Sequence, residues 1–209
     1  MPRRNVRKLA LRPPLPRRGI VWFPAFPTSP ATSNIEAFRA QHDPLAAKIP
    51  AHLTLVFPFP CTLTATQIAS HTRRIVAKWP PLPVVFRDVE GLLDEFILLM
   101  ARERAEALTA LHDELYTGVL RNFLRTEMTY NPHITIARVY SHSYPYSQSH
   151  FHSNFNSRES FHKILEQAES CFGNGRGMEW RIVMRELAVV TWHTDGKITV
   201  DATIPLNTN

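Results

Sequence analysis

The sequence predicts an α+β protein of two pseudo-symmetric lobes around a central cleft, each lobe an antiparallel sheet with helices on its outer face. One observation is that the order strand, helix, two strands occurs twice along the chain. A second is that each repeat opens on a strand with a histidine and a threonine two residues apart, in "HLTLVF" (52–57) and "HITIAR" (133–138). A third is the composition, 44% hydrophobic and 20% charged, which is typical of soluble globular proteins.

Residues 1–18 form a basic segment that we predict to be a disordered tail in front of a single bilobal domain over residues 19–209. The segment holds seven arginines or lysines, no acidic residue and four prolines, which disfavour a helix. Without it the net charge of +6 becomes −1, so the body should not bind nucleic acid by broad electrostatic attraction. Organellar targeting and a loose phosphate-binding arm are alternative roles for the tail.

The remaining global features predict a cytoplasmic monomer that does not associate with membranes. No apolar run reaches the roughly 18 residues that a membrane span requires. Cys61 and Cys171 are the two cysteines, and without a dense cysteine framework we expect both to be reduced thiols.

The first half of the chain begins with a predicted strand over residues 19–26. A helix is predicted over residues 33–43, with Ser33 as its N-cap and Glu36 at capping-box spacing.

The strand that carries the first histidine is predicted over residues 51–57, ended by Pro58 and Pro60. A helix follows over residues 64–79, with a threonine and a glutamine at capping-box spacing at its start.

Two strands, 82–93 and 95–101, and the longest helix, 103–125, complete the first half. The apolar residues of this helix repeat at intervals of three and four, as in an amphipathic helix: Leu108, Leu111, Leu115, Val119 and Phe123.

The second half repeats the pattern. A strand is predicted over residues 133–140, a polar loop over 141–157 and a helix over 159–170. Residues 179–192 and 196–204 close the chain as strands.

The two histidine motifs are the candidate functional residues. Residues i and i+2 of a strand point to the same side, so His52 shares a face with Thr54, and His133 shares a face with Thr135. The alternative is that each histidine is a satisfied polar residue at a strand edge and that threonine is present for its β-propensity. One motif alone would favour that alternative, but two matched polar pairs directed at one cleft indicate a shared ligand.

The chemistry that suits two histidines is phosphoryl transfer. One imidazole can take a proton from the entering oxygen while the other gives a proton to the leaving oxygen. The threonine hydroxyls can donate to the non-bridging phosphate oxygens, where negative charge must be held. This scheme requires neither a metal nor a cofactor.

The motifs "HLTLVF" and "HITIAR", their separation and the duplicated layout resemble the 2H phosphoesterase superfamily, which includes 2′-5′ RNA ligase-like proteins and 2′,3′-cyclic phosphodiesterases. The resemblance implies opening of a 2′,3′-cyclic phosphate of a nucleotide or RNA end. It implies that His52 protonates the leaving oxygen, that His133 activates water and that Thr54 and Thr135 hold the phosphate. Arg138 falls where many members carry a phosphate-facing arginine.

Other functions remain open at this point. The same fold could serve an RNA 2′-5′ ligase-type activity, although Pro58 and Pro60 stand where many ligase-like members have a glycine. It could also serve a non-catalytic nucleotide or RNA-end binding module, or a structural protein that docks through its tail. The loop 141–157, rich in histidines and aromatic residues, could be merely mobile, stack bases or bind a metal.

Overall fold

The computed structural model describes residues 15–27, 34–139, 157–172 and 179–207. The tail up to residue 14 and residues 141–156 of the predicted loop lie outside the described residues. None of the helices within these ranges is both long and apolar enough to cross a membrane. Cys61 and Cys171 are both free thiols.

The described strands form one antiparallel sheet. In chain order they are β1 (Arg17–Trp22), β2 (Leu53–Pro60), β3 (Leu82–Leu92), β4 (Phe96–Glu103), β5 (His133–Arg138), β6 (Trp180–Met184), β7 (Glu186–Trp192) and β8 (Ile198–Pro205). Across the sheet their order is β6-β3-β4-β5-β2-β1-β7-β8. The two histidine strands, β2 and β5, are therefore neighbours at the centre of the sheet.

Four α-helices in the described ranges contribute to the main hydrophobic core, on one side of this sheet. They are α1 (Ile35–His42), α2 (Ala65–Val76), α3 (Ala105–Leu115) and α4 (Ser157–Phe172). Their buried residues join Leu53, Leu55, Ile134 and Ile136 of the central strands in one cluster. The opposite side of the sheet, which carries His52, Thr54, His133 and Thr135, is called the site face below.

The prediction of two separate sheets, one in each consecutive lobe, is wrong. Strands β2 and β5 meet at the register pair Leu53–Ile134 and so join the two groups of strands into one sheet. Strands β3 and β4 follow β2 in sequence but lie on the β5 side of the sheet, with β4 next to β5, whereas β7 and β8 lie on the β1 side, with β7 next to β1. The hydrogen-bonding edge of a strand accepts any partner of matching length and register, so the local pattern does not specify which strand pairs with it.

The N-terminal elements differ from the prediction at their ends. Strand β1 begins at Arg17, so two arginines assigned to the tail belong to the sheet, and it ends at Trp22. Helix α1 is capped by Asn34, whose side chain accepts hydrogen bonds from the backbone N–H groups of Glu36 and Ala37. The predicted cap, Ser33, lies outside the described residues. The capping box that begins α2 is confirmed.

Strand β2 runs through Pro58 and Pro60 instead of ending before them. Within the part of the chain that the structure describes, β2 has register partners after Leu53 on β1 alone, so its other edge needs no ladder N–H. Proline is tolerated on such an edge because the N–H that it lacks would not be used there.

The long helix predicted over residues 103–125 is broken. Helix α3 ends at Leu115, and a 3₁₀ segment follows over Gly118–Phe123. Gly118 has a φ of +53°, which a continuous α-helix does not permit. Val119, predicted to face the core, is consequently exposed.

The second half fits its predicted elements more closely. Strand β5 begins at His133 as predicted, and α4 extends the predicted helix by two residues at each end. The predicted strand over residues 179–192 is two strands, β6 and β7, with Arg185 between them.

Candidate active site

The central strand pair brings the two histidine motifs together. In an antiparallel pair the residues that flank a register pair also face each other, so the Leu53–Ile134 pair sets His52 opposite Thr135 and Thr54 opposite His133. Leu53 and Ile134 are fully buried toward the helices, while the histidines and threonines are half-buried on the site face. The two histidines are diagonal neighbours, at a spacing of about 7–8 Å between their backbones.

Each histidine is held by the backbone two residues before it. Nδ1 of His52 lies 2.8 Å from the carbonyl oxygen of Pro50, and Nδ1 of His133 lies 2.6 Å from that of Asn131. A carbonyl oxygen only accepts hydrogen bonds, so Nδ1 carries the proton in both rings. In the neutral imidazole Nε2 is then the basic nitrogen, and in the cation it is a second donor.

Burial lowers the pKa of both histidines. For His52 it lowers the pKa to about 4, with the positive charges of Arg138 and Arg39 adding to the effect. For His133, burial is again the main cause of the lowered pKa, and Arg138 adds to it. Both imidazoles are therefore neutral in the free protein at pH 7, and the charge of Arg138 acts on both.

A β-bulge brings Arg138 to the site face. Strict alternation from His133 would place Arg138 on the core side with Ile134 and Ile136. However, Leu98 pairs with Thr135 and Ile97 pairs with Ala137, which leaves one extra residue on β5 between them. The bulge reverses the alternation beyond it, so that Arg138 shares the face of His133.

Strand β2 carries a matching bulge. Val21 pairs with Thr54 and Ile20 pairs with Val56, so the extra residue is Leu55, three residues after His52. In β5 the extra residue is likewise the third after the histidine. The fifth position after the histidine holds Phe57 in β2 and Arg138 in β5. The two motifs thus share a β-bulge at the same position, and only the motif in β5 ends in a positively charged residue.

Arg138 is anchored by a network of ion pairs, with Arg39 and Asp43 buried, that the sequence did not reveal. Its Nε lies 3.4 Å from Oδ1 of Asp43, which follows α1, and Asp43 in turn pairs with Arg39 at 2.9 Å. Arg39 also pairs with Glu36 at 3.0 Å. The spacing of these residues by three and four along "EAFRAQHD" was the available signal, but it is shared by ordinary ion pairs on helix surfaces.

Two aromatic residues and a histidine fix the backbone of β2 behind the motif. The hydroxyl of Tyr130 donates to the carbonyl oxygen of Thr54 at 3.0 Å, and His112 Nδ1 lies 2.7 Å from that of Leu55. The hydroxyl of Tyr116 accepts from the backbone N–H of Phe57 at 2.9 Å. On the β5 edge of β2, where no described strand pairs with it beyond Leu53, these groups take the place of ladder partners, as buried backbone groups require.

The surroundings of the two motifs differ. Beside β2, the buried residues Val21, Ala188 and Val190 form a small apolar cluster apart from the main core, with Phe23 and Trp192 packed against it. The Phe23 ring lies 6.2 Å from that of His52. The β3–β4 pair instead carries an ion-pair network, in which Arg102 binds both Asp88 and Glu90.

Among the other residues singled out in the sequence, two arginines of α2 do not join this site. Arg73 and Arg74 are exposed on α2, and the histidines of the loop 141–157 lie outside the described residues. Within the described ranges no three side chains of histidine, cysteine, aspartate or glutamate cluster as a metal site would require.

The sequence is similar to a family model and to named bacterial proteins. The family model described as the 2′-5′ RNA ligase superfamily matches residues 26–143. A Geobacillus kaustophilus protein named "Putative phosphoesterase" is 30% identical over 115 residues, which are 54% of this chain and 65% of that protein. A Bacillus licheniformis protein of the same name is 28% identical over 118 residues, covering 56% and 69% of the two chains.

Solved structures share the fold. Apo LigT of E. coli superposes with a TM-score of 0.54 at 17% identity, covering 92% of this chain and 98% of LigT. TT0787 of Thermus thermophilus gives a TM-score of 0.55 at 17% identity, covering 92% and 99%. LigT complexed with 3′-AMP gives a TM-score of 0.55 at 16% identity, with coverage of 91% and 98%.

Proposed function

We propose that this chain, which belongs to the 2′-5′ RNA ligase superfamily, is a metal-independent phosphodiesterase that opens 2′,3′-cyclic phosphates of nucleotides or RNA ends. The name of the matched relatives, "Putative phosphoesterase", agrees with this class of reaction. The observation that carries the proposal is the pair of diagonal histidines on one face, each with Nδ1 engaged by a backbone carbonyl. Each Nε2 is then left for proton transfer, which is what an in-line displacement at phosphorus needs on its two sides.

The reaction assigns one role to each side chain. His133 Nε2 takes the proton of a water molecule as its oxygen bonds to phosphorus. The bond from phosphorus to one ribose oxygen breaks, and His52 Nε2–H protonates that oxygen. The products are a ribose hydroxyl and a phosphate monoester. Thr54, Thr135 and Arg138 donate to the non-bridging oxygens, whose negative charge grows in the transition state.

The lowered pKa values of His52 and His133 determine how the proposed reaction depends on pH. One histidine must be neutral and the other protonated, and burial lowers both pKa values below the ordinary 6.5. The free enzyme therefore holds the active protonation state only on the acid side of neutrality. We expect kcat/KM to follow a bell-shaped profile with its maximum below pH 6.5. A bound phosphate anion stabilises the imidazolium, so the profile of kcat should lie at higher pH.

The fold neighbours support a nucleotide substrate. LigT of E. coli has been crystallised with 3′-AMP, a ribose phosphomonoester of the kind that cyclic opening releases. The ligase-type activity and the binding module of the same fold use the same face, and they are distinguished by whether hydrolysis occurs.

The test is hydrolysis of nucleoside 2′,3′-cyclic phosphates in the presence of EDTA. Wild type is compared with His52→Ala, His133→Ala and the control His162→Ala, whose side chain is exposed on α4. We expect turnover in EDTA, a loss of about 10²–10⁴-fold in either active-site variant and no loss in the control. Undiminished turnover in either active-site variant refutes the mechanism. Absence of turnover in wild type favours ligation or binding over hydrolysis.

A further inference from the structure

We propose that Glu36, Arg39 and Asp43, together called the α1 relay, are positioning residues that hold His52 and Arg138 in register with each other. The inference rests on the proposed function, because it concerns the same reaction. It adds three residues that do not touch the reacting atoms. It also gives a functional reason for the burial of two charged side chains, Arg39 and Asp43.

The Arg39–Asp43 pair of the relay is costly to bury, whereas Glu36 lies at the surface. The Arg39 side chain is 1% exposed and that of Asp43 is 0% exposed, at the end of a helix of eight residues. Apolar residues of similar volume are often equally or more stabilising than a buried ion pair, because desolvation offsets the attraction between the charges. Stability alone therefore gives little reason for this arrangement. Its hydrogen bonds, however, lead toward the candidate site.

One arm of the relay holds the segment in front of His52. Arg39 Nη2 donates to the carbonyl oxygen of Ile49 at 2.9 Å, and Glu36 Oε1 accepts from the backbone N–H of Ala51 at 2.8 Å. The residue between them is Pro50, whose carbonyl oxygen accepts from His52 Nδ1. The relay thus holds both peptide groups of Pro50, and the second of them carries the carbonyl oxygen that holds the His52 imidazole.

The other arm holds Arg138. Asp43 Oδ1 accepts from the backbone N–H of Leu45 at 3.0 Å and lies 3.4 Å from Arg138 Nε, while its Oδ2 pairs with Arg39. The Arg138 Nε atom is itself buried and, among the described residues, makes an ion pair with Asp43 and no hydrogen bond. Asp43 therefore orients the guanidinium through its Nε edge, and the opposite Nη edge is the one that can meet an anion.

The relay also balances the charge near His52. The groups that act on this imidazole are Arg138 from β5, together with Arg39 and Asp43 from the α1 region. Asp43 is the one anion among them, and it favours the protonated ring that the proposed acid role requires. Neutralising Asp43 leaves two cations facing His52.

The experiment compares Asp43→Asn and Glu36→Gln with wild type. Both variants remove a charge at nearly constant shape, and Glu36→Gln keeps an oxygen that can accept from the Ala51 N–H. The matched control is Glu159→Gln, which breaks the exposed Lys163–Glu159 pair on α4. The readouts are kcat and KM on a nucleoside 2′,3′-cyclic phosphate, and the NMR titration of the His52 imidazole nitrogens, which does not depend on turnover.

We expect Asp43→Asn to lower kcat/KM by about 10–100-fold, mainly by raising KM, and to lower the pH at which His52 titrates. In an Arg138→Gln background, Asp43→Asn should cause a much smaller loss of kcat/KM, because the two residues act together. We expect Glu36→Gln to reduce kcat with little change in KM, because the neutral amide loses the ion pair with Arg39 and accepts less strongly from the Ala51 N–H. This loosens the segment that holds the His52 imidazole and leaves the Asp43–Arg138 pair in place. Glu159→Gln should match wild type.

Two outcomes distinguish a failure of the relay hypothesis from a failure of the proposed function. If wild type turns over and both variants retain wild-type kcat, KM and His52 titration, the relay is refuted and the function stands. If wild type does not turn over, the proposed function fails, and the His52 titration alone decides the relay. Should Asp43→Asn not fold, Glu36→Gln and Asp43→Glu provide the same comparison.

Discussion

Acid sensitivity of the fold gives a direct measure of how strongly the site is desolvated. The perturbation is His52→Gln, which removes an imidazole whose pKa is lowered to about 4 by burial. In the unfolded chain this histidine titrates near 6.5, so between these values the unfolded state binds the extra proton. Stability contributed by keeping His52 neutral is therefore fully present above pH 6.5 and is lost as the pH falls toward 4.

The magnitude follows from linkage. Between about pH 7.5 and pH 4.5, a shift from 6.5 to about 4 removes up to about 2.5 kcal/mol from the free energy of unfolding. Wild type should lose this amount in addition to what its other groups lose. The His52→Gln variant should not lose this contribution, so its free energy of unfolding should decrease less steeply as the pH is lowered.

The assay is urea unfolding at a series of pH values from about 7.5 down to about 4.5. His162→Gln, at an exposed position on α4, is the control and should follow wild type. Only the pH dependence is compared, because the substitution also removes the hydrogen bond to Pro50. Parallel curves for wild type and His52→Gln would refute the claim that the site holds its histidine neutral.

Two further predictions concern the scaffold. Tyr130→Phe removes the donor to the Thr54 carbonyl oxygen, and we expect it to cost about 1–3 kcal/mol in urea unfolding; an unchanged midpoint would show that this hydroxyl does not support β2. Gly19→Ala would place a Cβ 2.5 Å from the carbonyl oxygen of Val56 and 2.9 Å from the Trp192 ring. We expect a loss of at least about 1–3 kcal/mol, measured in the same way, and wild-type stability would contradict the close approach of β1 to β2.

The sequence was most informative where chemistry and local pattern coincide. The two histidine–threonine pairs could be recognised because period-two alternation assigns them to one face of a strand, whatever the partner strand is. The capping box of α2 was readable for the same reason, since its two hydrogen bonds join residues three apart. The family resemblance stated from these motifs is confirmed by the match over residues 26–143.

Other local predictions failed where a neighbour outside the pattern decided the outcome. Pro58 and Pro60 did not end β2, because β2 lacks a sheet partner on one side at that point. The break after Leu115 is a local exception: Gly118, within the predicted helix, takes a positive φ that an α-helix does not permit.

By itself, then, the sequence determined that the histidine and the threonine of each motif lie on the same face of their strand, since alternation depends only on neighbouring residues. The tertiary structure alone decided that β2 and β5 pair through Leu53 and Ile134, which sets each histidine opposite the threonine of the other motif. It also decided that a bulge turns Arg138 to that face and that a buried ion pair from α1 holds it there. Strand pairing, register and the burial of charge depend on contacts between segments far apart in the chain, and no local periodicity encodes them.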